Sequence, residues 1–309
     1  MEKVYRYMVA TQCLTFNHAP YIEEAFRGFT MQETNFPVVY LVVDDASTDG
    51  EQGVIKQYLA DNFQMPFQLE ETEFAHIMCA THKRNHNCQF VVYLLKFNHY
   101  RIKKAKLPYL SEWFDKAKYK AICEGDDYWT DSSKLQKQVD FLELHPDYSM
   151  CFHSAEIKCE SEDVTDRRSH QYEGLQTREY KGEELIKKWI IPTASIVHRS
   201  FIQYPVDSRF LAGDILIRNQ CSIEGKVFCF SEKMSVYRIH DGGMTLISPW
   251  KSIEKQLNHF EALIEHFPQY KPFYLQLLKK TLWHSLLSRN LIRTIQVILK
   301  RPVVVRYFF

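Results

Sequence analysis

Apolar and polar positions along the chain alternate between strand-like runs and helical stripes. Val4 to Leu14 has the period of a strand. Asn17 then offers an N-cap, with Pro20 just inside a helix whose Tyr21, Ile22, Ala25, Phe26 and Phe29 share one face. Val38 to Val43 is continuously apolar and β-branched, as a strand buried on both faces of a parallel sheet should be, and it ends in Asp44-Asp45. A helix through Val54, Ile55, Tyr58 and Leu59 and a short strand near Pro66 to Leu69 complete a second unit. Residues 70 to 90 read as irregular and rich in His and Cys, and Phe90 to Leu95 is strand-like again. A basic turn, Arg101 to Lys106, leads into a helix near Tyr109 to Lys118. The strand Tyr119 to Cys123 then runs into Glu124-Gly125-Asp126-Asp127-Tyr128-Trp129.

Lys134 to Leu144 is amphipathic, with Leu135, Val139 and Leu142 on one stripe. Residues 159 to 184 are polar and read as loops. Strand patterns return at Ile190 to Val197 and Lys226 to Tyr237, around a helix near Asp214 to Ser222. From Trp250 onward only helical periodicity remains, broken at Pro268 and Pro272 and reaching about Lys300. The order of elements predicts an α/β fold: a Rossmann-like, mostly parallel central sheet flanked by helices, over residues 1–245, with a helical extension over 246–309.

Composition changes this picture in one place. The 309 residues carry 39 Lys+Arg against 38 Asp+Glu, a formal net charge of +1, so no bulk field marks a nucleic-acid binder. Hydrophobic residues make up 45% of the chain, which rules out a disordered chain. From Lys271 to Phe309, however, there are eight basic residues and no acidic one. Leu275, Leu278, Leu282, Leu286, Ile292 and Ile295 lie among them, with Trp283 and a terminal Val303 to Phe309. Such a segment suits either the plane of an anionic membrane or an apolar seam against the rest of the protein. The opening MEKVYRYMVA lacks the features of a signal peptide, and no apolar run reaches 18 residues. The expected location is the cytoplasm; on the first of these two readings, the C-terminal helices make peripheral contact with the inner face of the membrane. Eight scattered cysteines without CxxC pairs read as reduced thiols.

The candidate chemistry lies in the two acidic clusters. Each follows a buried strand, at the edge where open α/β sheets bind ligands. Mg²⁺ and Mn²⁺ take oxygen ligands, commonly one or two carboxylates with phosphate oxygens. In the tight Glu124-Gly125-Asp126-Asp127 turn, Gly125 is expected to take an unusual backbone angle that lets the adjacent carboxylates face one ion. Ordinary loop acids or helix caps would explain one cluster, but less readily two in the same setting.

These residues carry a resemblance. The first strand with Thr11 and Asn17, then Val-Val-Asp44-Asp45-Ala-Ser47-Thr-Asp49, then Glu124-Gly-Asp126-Asp127-Tyr128-Trp129-Thr-Asp131 followed by Lys134-Leu-Gln-Lys-Gln, resembles the family 2 inverting glycosyltransferases of the GT-A fold. The likeness is to small bacterial members with an EGDDYW-type metal motif, over about the first 240 residues. It implies that Thr11, Asn17, Asp44, Asp45, Glu124 and Asp126 bind the nucleotide-sugar, with Glu124 in place of the first acid of the usual DxD. It implies that Asp126 holds Mn²⁺ or Mg²⁺, assisted by Asp127, and it places Asn98 at a further family position. Tyr237-Arg238-Ile239-His240-Asp241-Gly242-Gly243-Met244 resembles the late His motif, which makes His240 a contact of the metal or diphosphate. Leu211-Ala-Gly213-Asp214 matches the position of the catalytic base, although Asp214 would also serve as a plain helix cap.

The activity implied is metal-dependent transfer of one sugar, with inversion, from a nucleotide-sugar, UDP-linked by expectation. The acceptor would be a hydroxyl of a glycan or lipid-linked acceptor in bacterial cell-envelope polysaccharide synthesis. Transfer is expected to be non-processive because no Q-x-x-R-W motif occurs. The alternatives are an inactive nucleotide-sugar-binding scaffold and a nucleotidyltransferase. Cys79, His82, His86 and Cys88, with His76 nearby, are the competing zinc-type cluster, but their order fits no familiar structural site. Walker, dinucleotide and G-x-S-x-G motifs are absent.

Overall fold

The computed structural model describes residues 4–160, 170–243 and 252–287. Its strands are β1 (Tyr7–Thr15), β2 (Val38–Asp44), β3 (Gln68–Glu71), β4 (Ala75–Thr81), β5 (Cys88–Leu95), β6 (Ala117–Ile122), β7 (Tyr128–Trp129), β8 (Tyr148–Cys159), β9 (Arg178–Tyr180), β10 (Val197–Arg199) and β11 (Lys226–Ile239). Its helices are α1 (Ile22–Thr30), α2 (Glu51–Asn62), α3 (Leu107–Phe114), α4 (Lys134–Leu144), α5 (Gly182–Lys187), α6 (Gly213–Glu224), α7 (Ile253–His266) and α8 (Lys271–Leu287). The strands form one sheet in the order β3-β4-β5-β2-β1-β6-β10-β8-β11-β7, with β9 on β11. Its centre, β5-β2-β1-β6, is parallel, and the strands outside it are mainly antiparallel.

The continuous apolar run of β2 is explained by its two covered faces. Val38, Tyr40 and Val42 enter one core with Ile22, Phe26 and Phe29 of α1 and Ile55 and Leu59 of α2. Val39, Leu41 and Val43 enter the other with Leu110 and Phe114 of α3. β5 divides in the same way, with Phe90, Val92 and Leu94 on the first face and Val91, Tyr93 and Leu95 on the second. The chain builds β1, β2 and β5 outward on one side of β1 and then crosses back to lay β6 on the other. The direction of winding therefore reverses between β1 and β6, and beyond the carboxyl ends of two such strands is where open α/β sheets form a ligand crevice.

Several expectations are corrected. Residues 70 to 90 are not irregular: β3 and β4 form an antiparallel hairpin that extends the sheet beyond β5. Cys79 of β4 packs with one apolar cluster and Cys88 of β5 with the other, so the zinc-type set is split by the sheet. The eight cysteines are free thiols, as expected. Within 159 to 184 the chain forms β9 and the start of α5, while 161–169 lie outside the described residues. The twelve-residue β8 has no counterpart in the apolar pattern, because its Met150-Cys151-Phe152 core is followed by His153 and Ser154, which are polar yet buried. Asn17 does not cap α1, which starts at Ile22 after Tyr21.

The C-terminal helices pack on the molecule. Tyr274, Leu278 and Leu282 of α8 are buried with Leu257 and Leu263 of α7 and Ile215 of α6. No helix among the described residues is long and apolar enough to cross a membrane. Ile292, Ile295, Val303 to Phe309 and Met244 lie outside the described residues.

Candidate active site

The crevice between β1 and β6 is built by two loops and the end of one long strand. After β1 the chain turns at Asn17, a left-handed residue with φ 57°, and this turn is tied to the loop after β2. Asn17 N–H donates to Ser47 Oγ at 2.8 Å, and Asn17 Oδ1 accepts from Thr48 N–H at 2.8 Å. Behind them Glu51, fully buried at the start of α2, accepts from the Thr15 hydroxyl, from His18 N–H at 2.8 Å and from Ser47 Oγ at 2.8 Å. Burial pushes its carboxyl up to about 6, against the opposing pull of those hydrogen bonds. Glu51 thus fixes the backbone that carries His18.

The Glu124-Gly125-Asp126-Asp127 turn follows β6. Gly125 N–H donates to Leu14 O at 3.0 Å, and Glu124 Oε2 accepts from Leu14 N–H at 2.9 Å, so the turn is stitched to the end of β1. The expectation for Gly125 is corrected here, because its backbone lies outside the left-handed region. Glycine is required by space: a Cβ would stand 2.2 Å from Thr15 Oγ1 and 2.6 Å from Thr15 Cβ. Burial, reinforced by the charge of Asp126, pushes the Glu124 carboxyl up to about 8.

Asp126 meets two imidazoles. Asp126 Oδ2 lies 3.2 Å from His240 Nε2 and 3.8 Å from His18 Nε2. The two rings meet edge to face with centroids 5.6 Å apart, and Tyr21 packs on His240 at 4.7 Å. Burial alone would raise the Asp126 carboxyl, but the hydrogen bond to His240 and the two imidazoles hold it below the ordinary carboxylate range. One donor atom from each of His18, Asp126 and His240 lies within 4.8 Å of the others, and this is the group among the described residues able to hold a metal ion. Bonds of about 2.0–2.2 Å place neighbouring donors about 3–3.6 Å apart. The His240–Asp126 pair stands at that spacing, and His18, 3.8 Å from Asp126, would have to move closer to share the ion. The donor set therefore fits a divalent ion.

Asp127 stays outside this group. It is buried, and its Oδ1 accepts from Arg238 N–H at 2.9 Å. Burial and the neighbouring Asp126 charge push its carboxyl well up. Arg238 is the organiser of the turn: its Nε donates to Asp126 O at 2.8 Å, and its other nitrogens pair with Glu24 and Glu160. Its guanidinium sits 4.5 Å from the Tyr21 ring centroid and 5.2 Å from that of Tyr128. A cation that is 2% exposed and fully partnered is a positioning group.

The other expected residues are not brought into this group. Thr11 is wholly buried in β1, and its hydroxyl has no partner. Asp44, at the end of β2, is buried and binds Ser47 N–H and Gln52 through Oδ2, while Oδ1 has no partner. Asp45 is consumed by the loop after β5: it accepts from His99 N–H at 2.6 Å and Tyr100 N–H at 3.2 Å, and pairs with Lys106 at 2.7 Å. Asn98 Nδ2 donates to Asp45 O at 2.9 Å in the same loop. Asp214 lies in the first turn of α6 and lines a small cleft with Trp189, Ile191, Ile196 and Arg218. Burial raises its carboxyl, against the pull of the Arg218 charge. β10 runs antiparallel to β6 with Val197 opposite Ala121, which brings Ile196 level with Ile122, two residues before Glu124. The Asp214 cleft therefore borders the strand that delivers Asp126.

No family model matches the chain. Three curated relatives do, each 30% identical over 234 residues: the uncharacterized proteins Mb1547 of Mycobacterium bovis and Rv1520 and MT1570 of Mycobacterium tuberculosis. The match covers 75% of this chain but 58% of their length. Among solved structures, residues 1–349 of S. aureus TarS in complex with UDP align over 96% of this chain and 75% of that one, at 15% identity and a TM-score of 0.53. The mannosyltransferase PcManGT from Pyrobaculum calidifontis, in complex with GDP-Man and Mn²⁺, aligns over 98% and 83%, at 15% identity and a TM-score of 0.54. The chain has their fold. The α/β architecture of GT-A type expected from the order of motifs is thus the one the molecule adopts.

Three organising residues escaped the sequence reading. His18 carried a usable signal, since it follows β1 at the edge where the acidic clusters lie. Arg238 and Glu51 carried none, because only contacts across about 110 and 35 residues of chain distinguish them from surface charges.

Proposed function

We propose that the protein is a metal-dependent glycosyltransferase. On this reading it moves one sugar, non-processively and with inversion, from a nucleotide-sugar, UDP-linked, to a hydroxyl of a glycan or lipid-linked acceptor. The observation that carries the reading is the His18–Asp126–His240 group in the β1/β6 crevice, in a fold shared with a UDP complex and with a mannosyltransferase holding GDP-Man and Mn²⁺. His18, Asp126 and His240 would hold the ion. Two imidazoles in the donor set favour Mn²⁺ over Mg²⁺. When bound, the ion supplies positive charge to the diphosphate as it leaves.

The remaining steps belong to the chain. Glu124, Asp44 and the Asn17 turn border the crevice where a nucleoside would lie, with Glu51 and Arg238 fixing the two loops. Asp214 is the base. It takes the proton of the acceptor hydroxyl as that oxygen bonds to the anomeric carbon, the bond from that carbon to the phosphate oxygen breaks, and its electron pair leaves with the nucleoside diphosphate. Burial of Asp214 favours this role, since a raised carboxylate is a better proton acceptor.

The test is binding and slow hydrolysis of a nucleotide-sugar panel with Mn²⁺, Mg²⁺ or EDTA, beside Mn²⁺ titration of the protein alone. UDP release dependent on Mn²⁺ is expected. Asp126→Ala should abolish both metal binding and release, and His18→Gln should weaken Mn²⁺ binding by about tenfold or more. Asp214→Asn should keep donor binding and lose about 10²–10⁴ in transfer. Pyrophosphate as the product would instead mark a nucleotidyltransferase, and donor binding without turnover in the presence of acceptor glycans would mark a scaffold.

A further inference from the structure

The loop joining β5 to α3 presents an apolar and basic surface that the active-site reading does not use. Phe97, Tyr100, Ile102 and Leu107 are 54%, 68%, 55% and 54% exposed. The other large exposed apolar residues of the described chain are spread along it, whereas these four fall within eleven residues. Interleaved with them are Arg101 and Lys103, exposed and in no ion pair among the described residues, and residues 96 to 111 contain no acidic side chain.

The loop is braced from inside. His99 is fully buried, with Nδ1 2.8 Å from Phe97 O and Nε2 3.0 Å from Tyr109 OH. Asp45 holds the backbone N–H groups of His99 and Tyr100 and the Lys106 ammonium. Asn98 Oδ1 accepts from Arg101 N–H at 2.8 Å, Lys104 N–H donates to His99 O at 2.9 Å, and the Lys104 ammonium caps the Phe74 ring. Polar backbone groups are thus satisfied inward while aromatic and aliphatic side chains stand in water. Exposed apolar side chains grouped in this way are a mark of a contact surface.

We propose that this loop, residues 97–107, docks on an anionic lipid surface. Aromatic and aliphatic side chains that enter the acyl boundary, flanked by Arg and Lys at headgroup level, are the combination that membrane surfaces hold. Ile102 and Leu107 favour this occupant over a nucleic acid, which would use the cations and the aromatics but not the aliphatics. The loop leaves the carboxyl end of β5 and is clamped by Asp45 at the carboxyl end of β2. That is the sheet edge where the β1/β6 crevice opens, so docking would hold the mouth of the site toward the bilayer.

The test is co-sedimentation of the full chain with vesicles of phosphatidylcholine containing about one-third phosphatidylglycerol, at low and high salt. Binding is expected at low salt, falling as salt rises, and weak on phosphatidylcholine alone. Tyr100→Ser with Ile102→Ser should weaken partitioning about tenfold or more. Arg101→Glu with Lys103→Glu should weaken it similarly on anionic vesicles only. Circular dichroism and a thermal melt of both variants check that the fold is kept. The proposal is overturned if the wild type ignores the vesicles, or if it binds them equally with both variants, which would place the contact on the basic C-terminal segment. It is also overturned if the wild type is a dimer that Tyr100→Ser with Ile102→Ser splits, which would make the patch a subunit interface. None of these outcomes depends on sugar transfer.

Discussion

Single atoms decide the shape of the acidic turn. Gly125 sits where β6 and β1 end side by side, and the room left there is smaller than a methyl group. Gly125→Ala must push Thr15 away, and with it the Thr15 hydroxyl that Glu51 holds. The expected cost is about 1–3 kcal/mol of stability from overpacking, with weakening of the proposed Mn²⁺ binding because His18 and Asp126 stand on the two displaced segments. Gly53→Ala is the matched control. Its Cβ would meet nothing, it lies within α2, and the substitution should stabilise by about 0.5–1 kcal/mol through helix propensity. Urea unfolding of the two variants checks both signs. A destabilising Gly53→Ala with a neutral Gly125→Ala would reverse the account.

At the scale of elements, periodicity served where a segment is covered in one consistent way and failed where burial is polar. β2, α2 and α4 were legible because Val38 to Val43, Ile55 and Leu59, and Leu135, Val139 and Leu142 follow the expected spacing. β8 and β4 were not, since buried His153 and Ser154 and the mixed AHIMCAT run of β4 imitate loops, whereas β3 overlaps the short strand expected near Pro66 to Leu69. Asp126 and His240 were legible as motif residues, whereas His18 offered only its place just after β1, and the β1/β6 crossover is what joins it to them. α4 hides a further departure: its first residue, Lys134, is fully buried, with the ammonium 4.1 Å from the Trp129 ring centroid and bonded to Gln138 Oε1 at 2.8 Å. Burial lowers it to about 7. The unfolded chain keeps that proton up to about pH 10, so between about 7 and 10 the unfolded state holds more protons and stability rises with pH. The cost is fully present below about pH 7. Lys134→Met should therefore raise stability at neutral pH and remove a rise of up to about 2–3 kcal/mol between about pH 7 and pH 9. Denaturant unfolding of wild type and variant at the two pH values measures this, and parallel curves would show that Lys134 is not the titrating group.

For the molecule as a whole, the open question is whether the C-terminal helices are an appendage or part of the same cooperative structure. The sequence placed a boundary near residue 245, where strand patterns give way to helices alone. The packing joins the two sides: Tyr274 OH accepts from Asn219 of α6, Gly182 at the start of α5 leaves no room for a Cβ beside Tyr270 OH, and Leu278 and Leu282 share a buried cluster with Ile215 and Ile186. α6 also carries Asp214, and α7 and α8 together cover its outer side. Leu278→Ala removes a buried side chain from this seam and should cost about 2–5 kcal/mol. If the seam is integral, the variant lowers the midpoint of one transition seen alike by far-ultraviolet circular dichroism and by tryptophan fluorescence. A separable appendage would give two transitions, of which only the earlier moves. In the first case damage to α8 reaches the Asp214 end of α6 through stability alone, so the proposed nucleotide-sugar binding at the β1/β6 crevice should survive in the variant at temperatures below its melt.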